Sequence, residues 1–257
     1  MATIGQLRRL AIRSASILVL LLAWELSARL DFTTTFHLPA LSLVLQRLWA
    51  TAMSGDLGLA AMQTLLRALA GFCLAAVAGV TLGILLVRNR IVGWFFEPLV
   101  SVGLPLPKIA FLPLFVLWFG IYEQSKVLMI AFSAIFPVIV STAAGTENVE
   151  RQLVWSARSL GSSERAIFWQ IILPAASPQI FTGLQIALPT ALIVTVVCEM
   201  VLGGYGLGAT IIGSMKMMDS IGSFAGIIAI ALLGYASIQI MGLVRRYFLG
   251  WHQESQT

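Results

Sequence analysis

Charge is what this 257-residue chain has least of: only 11% of its residues are Asp, Glu, Lys or Arg. A soluble domain carries about 25%, so a soluble enzyme is excluded. Cysteine is as scarce. Cys73 and Cys198 both lie in apolar runs and read as small buried hydrophobes, which excludes a disulfide scaffold. The two histidines, His37 and His252, stand far apart without ligand-type neighbours, so no metal site is predicted. Neither a Gly-rich Lys-Ser/Thr phosphate loop nor a His-Glu-x-x-His helix occurs, and paired catalytic aspartates are missing. Polar stretches are too short for a second, soluble domain, so one domain is read over 1–257.

Hydrophobicity is what the chain does have, at 59% of residues with a mean hydropathy of +0.94. Several apolar runs reach the roughly 20 residues that cross a bilayer as helix. Six spans are drawn, at 14–30, 65–87, 91–119, 126–144, 180–202 and 223–244. These aliphatic runs lack the ten-residue alternation of a barrel, and an all-α integral membrane bundle is predicted. The net charge of +5 does not point to nucleic acid, because the basic residues sit singly or in pairs between spans.

With the N-terminus inside, Arg8, Arg9, Arg13, Arg88, Arg90, Arg151, Arg158, Arg165, Arg245 and Arg246 are cytoplasmic. Arg29, Arg47, Lys126 and Lys216 are outside, while Arg67 and Lys108 fall within or at the edge of spans. That bias is the positive-inside pattern, and it places both termini in the cytoplasm. Basic residues before the apolar run 16–23 also suit a signal peptide, but Trp24 and Glu25 stand where small cleavage residues belong, favouring a retained anchor. The stretch 36–59 reads as an outer segment with a short interfacial helix at 41–53. Trp94, Trp118 and Trp251 read as interface anchors; Met200, Met215, Met217 and Met218 as packing against helices or lipid.

The longest cytoplasmic connection, 146–178, carries the most pattern. Thr146 is placed to cap a helix, and Val149, Leu153, Ala157 and Leu160 form an apolar stripe along it. Gly161 breaks that helix, Ser162 or Ser163 begins another with Glu164 in its first turn, and Leu173-Pro174 is expected to stop it. The result is a helix–turn–helix platform; the bland alternative is a loop lying on headgroups.

This loop resembles the signature of binding-protein-dependent ABC importer permeases: Glu-Ala-Ala, three residues, Gly, nine residues, Ile-x-Leu-Pro. Here the register is Trp155-Ser156-Ala157, Gly161 and Ile171-Ile172-Leu173-Pro174, with Trp155 and Ser156 replacing the leading Glu and Ala. Leu117-Trp118-Phe119-Gly120 with Glu123, Ser125 and Lys126 is similar to the nitrate/sulfonate/taurine type. So are Ala157-Arg158-Ser159-Leu160-Gly161, Leu173-Pro174-Ala175-Ala176-Ser177-Pro178, and Glu199 followed by Gly206-Leu207-Gly208. The likeness covers roughly 64–246.

The resemblance implies a six-helix permease of the type I importer kind in a bacterial inner membrane, surrounded by lipid. It also implies a second permease copy, two ATPase subunits holding ATP and Mg, and a periplasmic or lipid-anchored solute-binding protein, with no cofactor on this chain. It further implies that the helix around Gly161 couples to the ATPase through Ala157, Arg158, Ser159, Leu160, Gly161, Ser162 and Glu164. Ile171, Leu173 and Pro174 then tie the loop to the fifth span, simple packing being the other reading of Ile171 and Leu173. Nitrate, sulfonates or taurine are the solutes this likeness suggests.

Four prolines, Pro98, Pro105, Pro107 and Pro113, fall in the third span, and an irregular backbone is predicted over 104–112. Such backbone is tolerated in a membrane where it lines a cavity. Pro105, Pro107 and Lys108 are therefore candidate path residues, because an intramembrane cation is by default functional. Lys108 has rival roles: pairing with Glu97 or Glu199, or snorkelling outward. Glu199 faces the same choice. Gly203 to Gly208 has no preceding strand and is no dinucleotide fingerprint; a flexible gating loop and an ordinary Gly-rich turn are both open. A secondary transporter is the competing function, but it needs ionisable residues deep in several spans.

Overall fold

The computed structural model describes residues 2–30 and 34–250, with side chains from residue 15. The readings of Trp251 and His252, and of the side chains of Arg8, Arg9 and Arg13, fall outside the described residues. Within them the chain is helical and has no strand. Helix α1 (Ala2–Arg29) leads to α2 (Leu41–Met53), which coincides with the interfacial helix read from the sequence, and then to α3 (Asp56–Arg88). After α4 (Arg90–Gly103) comes a 3₁₀ turn (Lys108–Phe111), α5 (Leu112–Phe119) and α6 (Glu123–Glu147). The short helices α7 (Arg151–Ser159) and α8 (Glu164–Ile167) precede a π turn (Phe168–Ile172) and α9 (Leu173–Leu202). The chain closes with α10 (Leu207–Lys216) and α11 (Ser220–Phe248).

The core is a three-helix stack in which α6 lies between α3 and α9. Lipid tails are as apolar as leucine, so such helices gain by close approach rather than by hiding from water. Helix α3 turns a seam of small residues inward: Thr64, Ala68, Gly71, Ala75, Gly79 and Gly83 are all buried. A Cβ at Gly79 would stand 2.8 Å from the Val138 side chain, and one at Gly83 2.7 Å from Thr142. Met129, Ile130, Ala134 and Val138 of α6 and Ala187, Ala191 and Cys198 of α9 complete the core. Outside this stack, α11 packs on α10 and α2. Leu18, Leu20, Leu22 and Leu26 of α1 and Leu232 and Leu243 of α11 are exposed, as lipid-facing side chains are.

Four described helices are long and apolar enough to cross a membrane: α3, α6, α11 and the 39-residue run Glu164–Leu202. A fifth arises if α4 and the segment Lys108–Phe119 count as one span, but they are bent by 102°. The third span drawn over 91–119 is thus broken within the stretch 104–112 that was read as irregular. Pro105 and Pro107 lack N–H donors and interrupt the helix where the irregular backbone was expected. Two further expectations are corrected. Cys73 is exposed while Cys198 is buried, and both are free thiols. The fifth span begins before residue 180, because α9 runs unbroken from Leu173.

Candidate functional site

At one end of the bundle α7 and α8 form an elbow. Thr146 does not cap α7: it lies in the last turn of α6, where its hydroxyl donates to the Thr142 carbonyl. Glu150 occupies the cap position instead. Helix α7 ends in a left-handed turn at Gly161 (φ 80°). The Ser162 N–H donates to the Ala157 carbonyl, and that of Gly161 to Arg158, both at 3.0 Å. This pair of bonds satisfies the helix's terminal carbonyls, and glycine takes the left-handed position without steric cost. Ser163 then caps α8 by accepting from the Ala166 N–H at 3.2 Å.

The elbow presents itself outward. Leu160 is 86% exposed and Trp155 61%, while only Ala157 of α7 is buried. The apolar stripe of Leu153, Ala157 and Leu160 is thus not an inward face, since Leu153 and Leu160 point away from the bundle. Across the turn Arg158 donates to Glu164 at 2.8 Å. That carboxylate also holds the Arg158 guanidinium above its ordinary pKa. Arg88, at the end of α3, lies 3.8 Å from Glu164 and stacks over the Phe168 ring at 5.0 Å. The elbow is therefore tied to α3 as well as to α9.

Leu173-Pro174 does not stop the helix. Pro174 sits in the first turn of α9, where a missing N–H is harmless. The π turn before it, with Ile171 in its wall, carries the chain from α8 into α9 without a break. Ala157 through Glu164 are thus gathered at the elbow, and Ile171, Leu173 and Pro174 at its junction with α9.

The broken span places Lys108 at the head of the 3₁₀ turn. Its ammonium donates to the Leu104 carbonyl at 2.6 Å and lies 5.2 Å over the Phe136 ring. Among the described residues it pairs with neither Glu97 nor Glu199. Glu97 lines a separate cleft of about 460 Å³ with Ser101 and Glu147, between α4, the end of α3 and α6.

Glu199 is fully buried. It accepts from Arg67 of α3 at 2.6 Å, from Thr64 at 2.9 Å and from the Gly208 N–H at 3.0 Å. The carboxylate thus caps α10 from a distance, at the positive end of that helix's dipole. Arg67 also grips Glu123 bidentately, at 2.5 and 2.9 Å, and donates to the Tyr205 carbonyl. Lys126 donates to the Gly203 carbonyl at 3.0 Å. The Gly203–Gly206 segment is therefore pinned to the bundle in this structure. Arg67, Thr64 and Glu123 were missed in the sequence. The available signal was an arginine inside an apolar run, which is costly unless paired.

Several bilayer-length helices, a broken span holding a lysine and a projecting elbow make up the framework of a membrane transport subunit. The family model described as "Binding-protein-dependent transport system inner membrane component" matches residues 71–248, and the chain belongs to that family. It is 30% identical to the taurine transport system permease protein TauC of Escherichia coli (strain K12), over 97% of this chain and 92% of that protein. With the putative aliphatic sulfonates transport permease protein SsuC of Bacillus subtilis (strain 168) it shares 31% identity, over 91% and 84%. Its fold matches a chain of the inward-facing MetNI methionine ABC transporter with a TM-score of 0.60 at 18% identity, over 75% of this chain and 98% of that one. The protein is a multi-pass inner-membrane component of an ABC importer, a part of a transport system rather than an enzyme.

Proposed function

We propose that this chain forms the translocation path for a small sulfonate or related oxyanion such as nitrate or taurine, and that the elbow is where a partner ATPase grips it. The carrying observation is the elbow itself: exposed Leu160 and Trp155 on a helix whose end is fixed by Gly161 and latched by Arg158–Glu164. A surface that apolar, on an element that rigid, suits a partner. The reading has six spans, with α1 as the first and both termini cytoplasmic, so that the elbow faces the ATPases. Two permease copies, two ATPases and an extracytoplasmic binding protein complete the assembly. ATP-driven closure would draw the elbows together, and α9 would carry that shift across the membrane as rigid-body rocking.

Lys108 is the residue of the broken span suited to attract an anion. The cleft of Glu97 and Glu147 bears the opposite sign, and we assign it to the exit, where repulsion favours release. Likeness to the taurine and sulfonate permeases supports this solute class. Gly161→Trp should leave the protein inserted and abolish ATPase association; normal co-purification of the ATPase would refute the docking role. Uptake in vesicles should appear only with the partner ATPase and ATP present, whereas uptake driven by an ion gradient alone would favour a secondary transporter.

A further inference from the structure

The buried charges at the far end of the bundle are not used by the elbow or by Lys108. Arg67 and Arg88 stand 21 residues apart on α3, or about 32 Å at 1.5 Å per residue. This matches the roughly 30 Å hydrocarbon thickness, so the Arg67 cluster and the elbow sit at opposite faces. Two helices join them: α3 directly, and α9 with the π turn at one end and Glu199 near the other.

The two arms of the Arg67 grip are unequal. The Glu199 side chain is wholly buried, and it also receives Thr64 and the N–H of Gly208. The Glu123 side chain is 59% exposed and belongs to the first turn of α6, directly after the bend at Gly120. Between the two arms lies the Tyr205 carbonyl, while the Tyr205 side chain points outward with 77% exposure. A lasting arm and a water-accessible arm thus meet at one guanidinium, which also holds the Gly203–Gly206 turn.

We propose that Arg67 is a positioning residue for transport: it seats the Gly203–Gly206 turn on the bundle through Glu199, and Glu123 is the arm that releases when the outer end opens. The proposal rests on the importer reading above. Breaking the exposed arm shifts the turn toward its unseated state while the buried pair keeps the fold. Binding energy of the extracytoplasmic partner, which otherwise has to release that arm, is then no longer needed to trigger hydrolysis.

The test uses the permease–ATPase complex in vesicles. Cys73→Ser removes the exposed native thiol, and Tyr205→Cys reports on the turn, whose contact with Arg67 is through the main chain. Glu123→Gln should raise the rate at which a membrane-impermeant maleimide labels residue 205 roughly two- to fivefold, the population shift that loss of one partly exposed ion pair gives. ATP hydrolysis without binding protein should rise by a similar factor, and solute moved per ATP should fall. Arg67→Lys, which keeps the charge but cannot fork between two carboxylates, should shift both readouts the same way, and Glu123→Asp should restore them. A merely structural cluster would lower the yield of complex without raising either rate. Unchanged labelling and hydrolysis in both variants, or lost assembly alone, would overturn the proposal. Failure of the unsubstituted complex to couple uptake to ATP would instead overturn the functional reading.

Discussion

Arg158 and Glu164 meet at 2.8 Å across the Gly161 turn, so the two short helices of the elbow are latched to each other at the surface. Both side chains are more than half exposed, and an ion pair so open to solvent contributes little to folding. Its value lies in fixing the direction of the exposed Leu160. Glu164→Gln should leave the protein's yield and thermal midpoint unchanged while weakening ATPase co-purification. The charge-swapped pair Arg158→Glu with Glu164→Arg should recover part of that association. Recovery of nothing would mean the charges touch the partner individually.

The seam of α3 gives a different kind of prediction, because it concerns packing alone. Gly79→Ala places a methyl 2.8 Å from Val138, and overpacking of this kind costs about 1–3 kcal/mol. The thermal midpoint of the purified protein should drop. Gly242 in α11 has nothing within 4 Å of an added Cβ. Gly242→Ala should therefore be neutral or stabilising, by up to about 1 kcal/mol from helix propensity. Equal effects at the two sites would contradict the close approach of α3 and α6.

The pairing of Arg67 with Glu199 predicts strong non-additivity. Removing one member of a buried ion pair typically costs about 3–5 kcal/mol, because the other charge is left without its partner, whereas apolar replacement of both is far milder. Glu199→Leu alone should destabilise the protein severely. Adding Arg67→Met should restore much of the loss, read as the coupling term of a double-mutant cycle on thermal midpoints.

Among the described residues Lys108 is held by a carbonyl and an aromatic ring alone. Lys108→Gln should preserve assembly and basal ATP hydrolysis while lowering uptake of a sulfonate by roughly tenfold, the scale of one charge-assisted hydrogen bond. Unchanged uptake would remove the residue from the path.

Local signals were readable in the chain and distant pairings were not. The interfacial helix at 41–53, the Gly161 turn, the Ser163 cap and the break before Lys108 all follow from residue types within one or two turns. The misread points each depended on a partner far away. Thr146 looked like a cap because its place inside α6 is decided by packing against α9. Pro174 looked like a stop because the π turn that accommodates it leaves no compositional mark. The contact of Lys126 with Gly203 spans 77 residues and leaves no local mark. Arg67 and Glu199, 132 residues apart, could be paired only by the fold. The elbow's turn is local and was legible, and the buried electrostatic cluster was not.

The π turn at Phe168–Ile172 also sets a compass bearing. Its wider loop inserts the equivalent of one extra residue into an otherwise α-helical rod. Each α-helical residue turns the chain by about 100°. Because the wide turn takes up that residue, Trp155 and Leu160 keep the bearing of a regular helix about the axis of α9; a residue added to the α-helical part, where no wide turn takes up the slack, would swing them by about that angle.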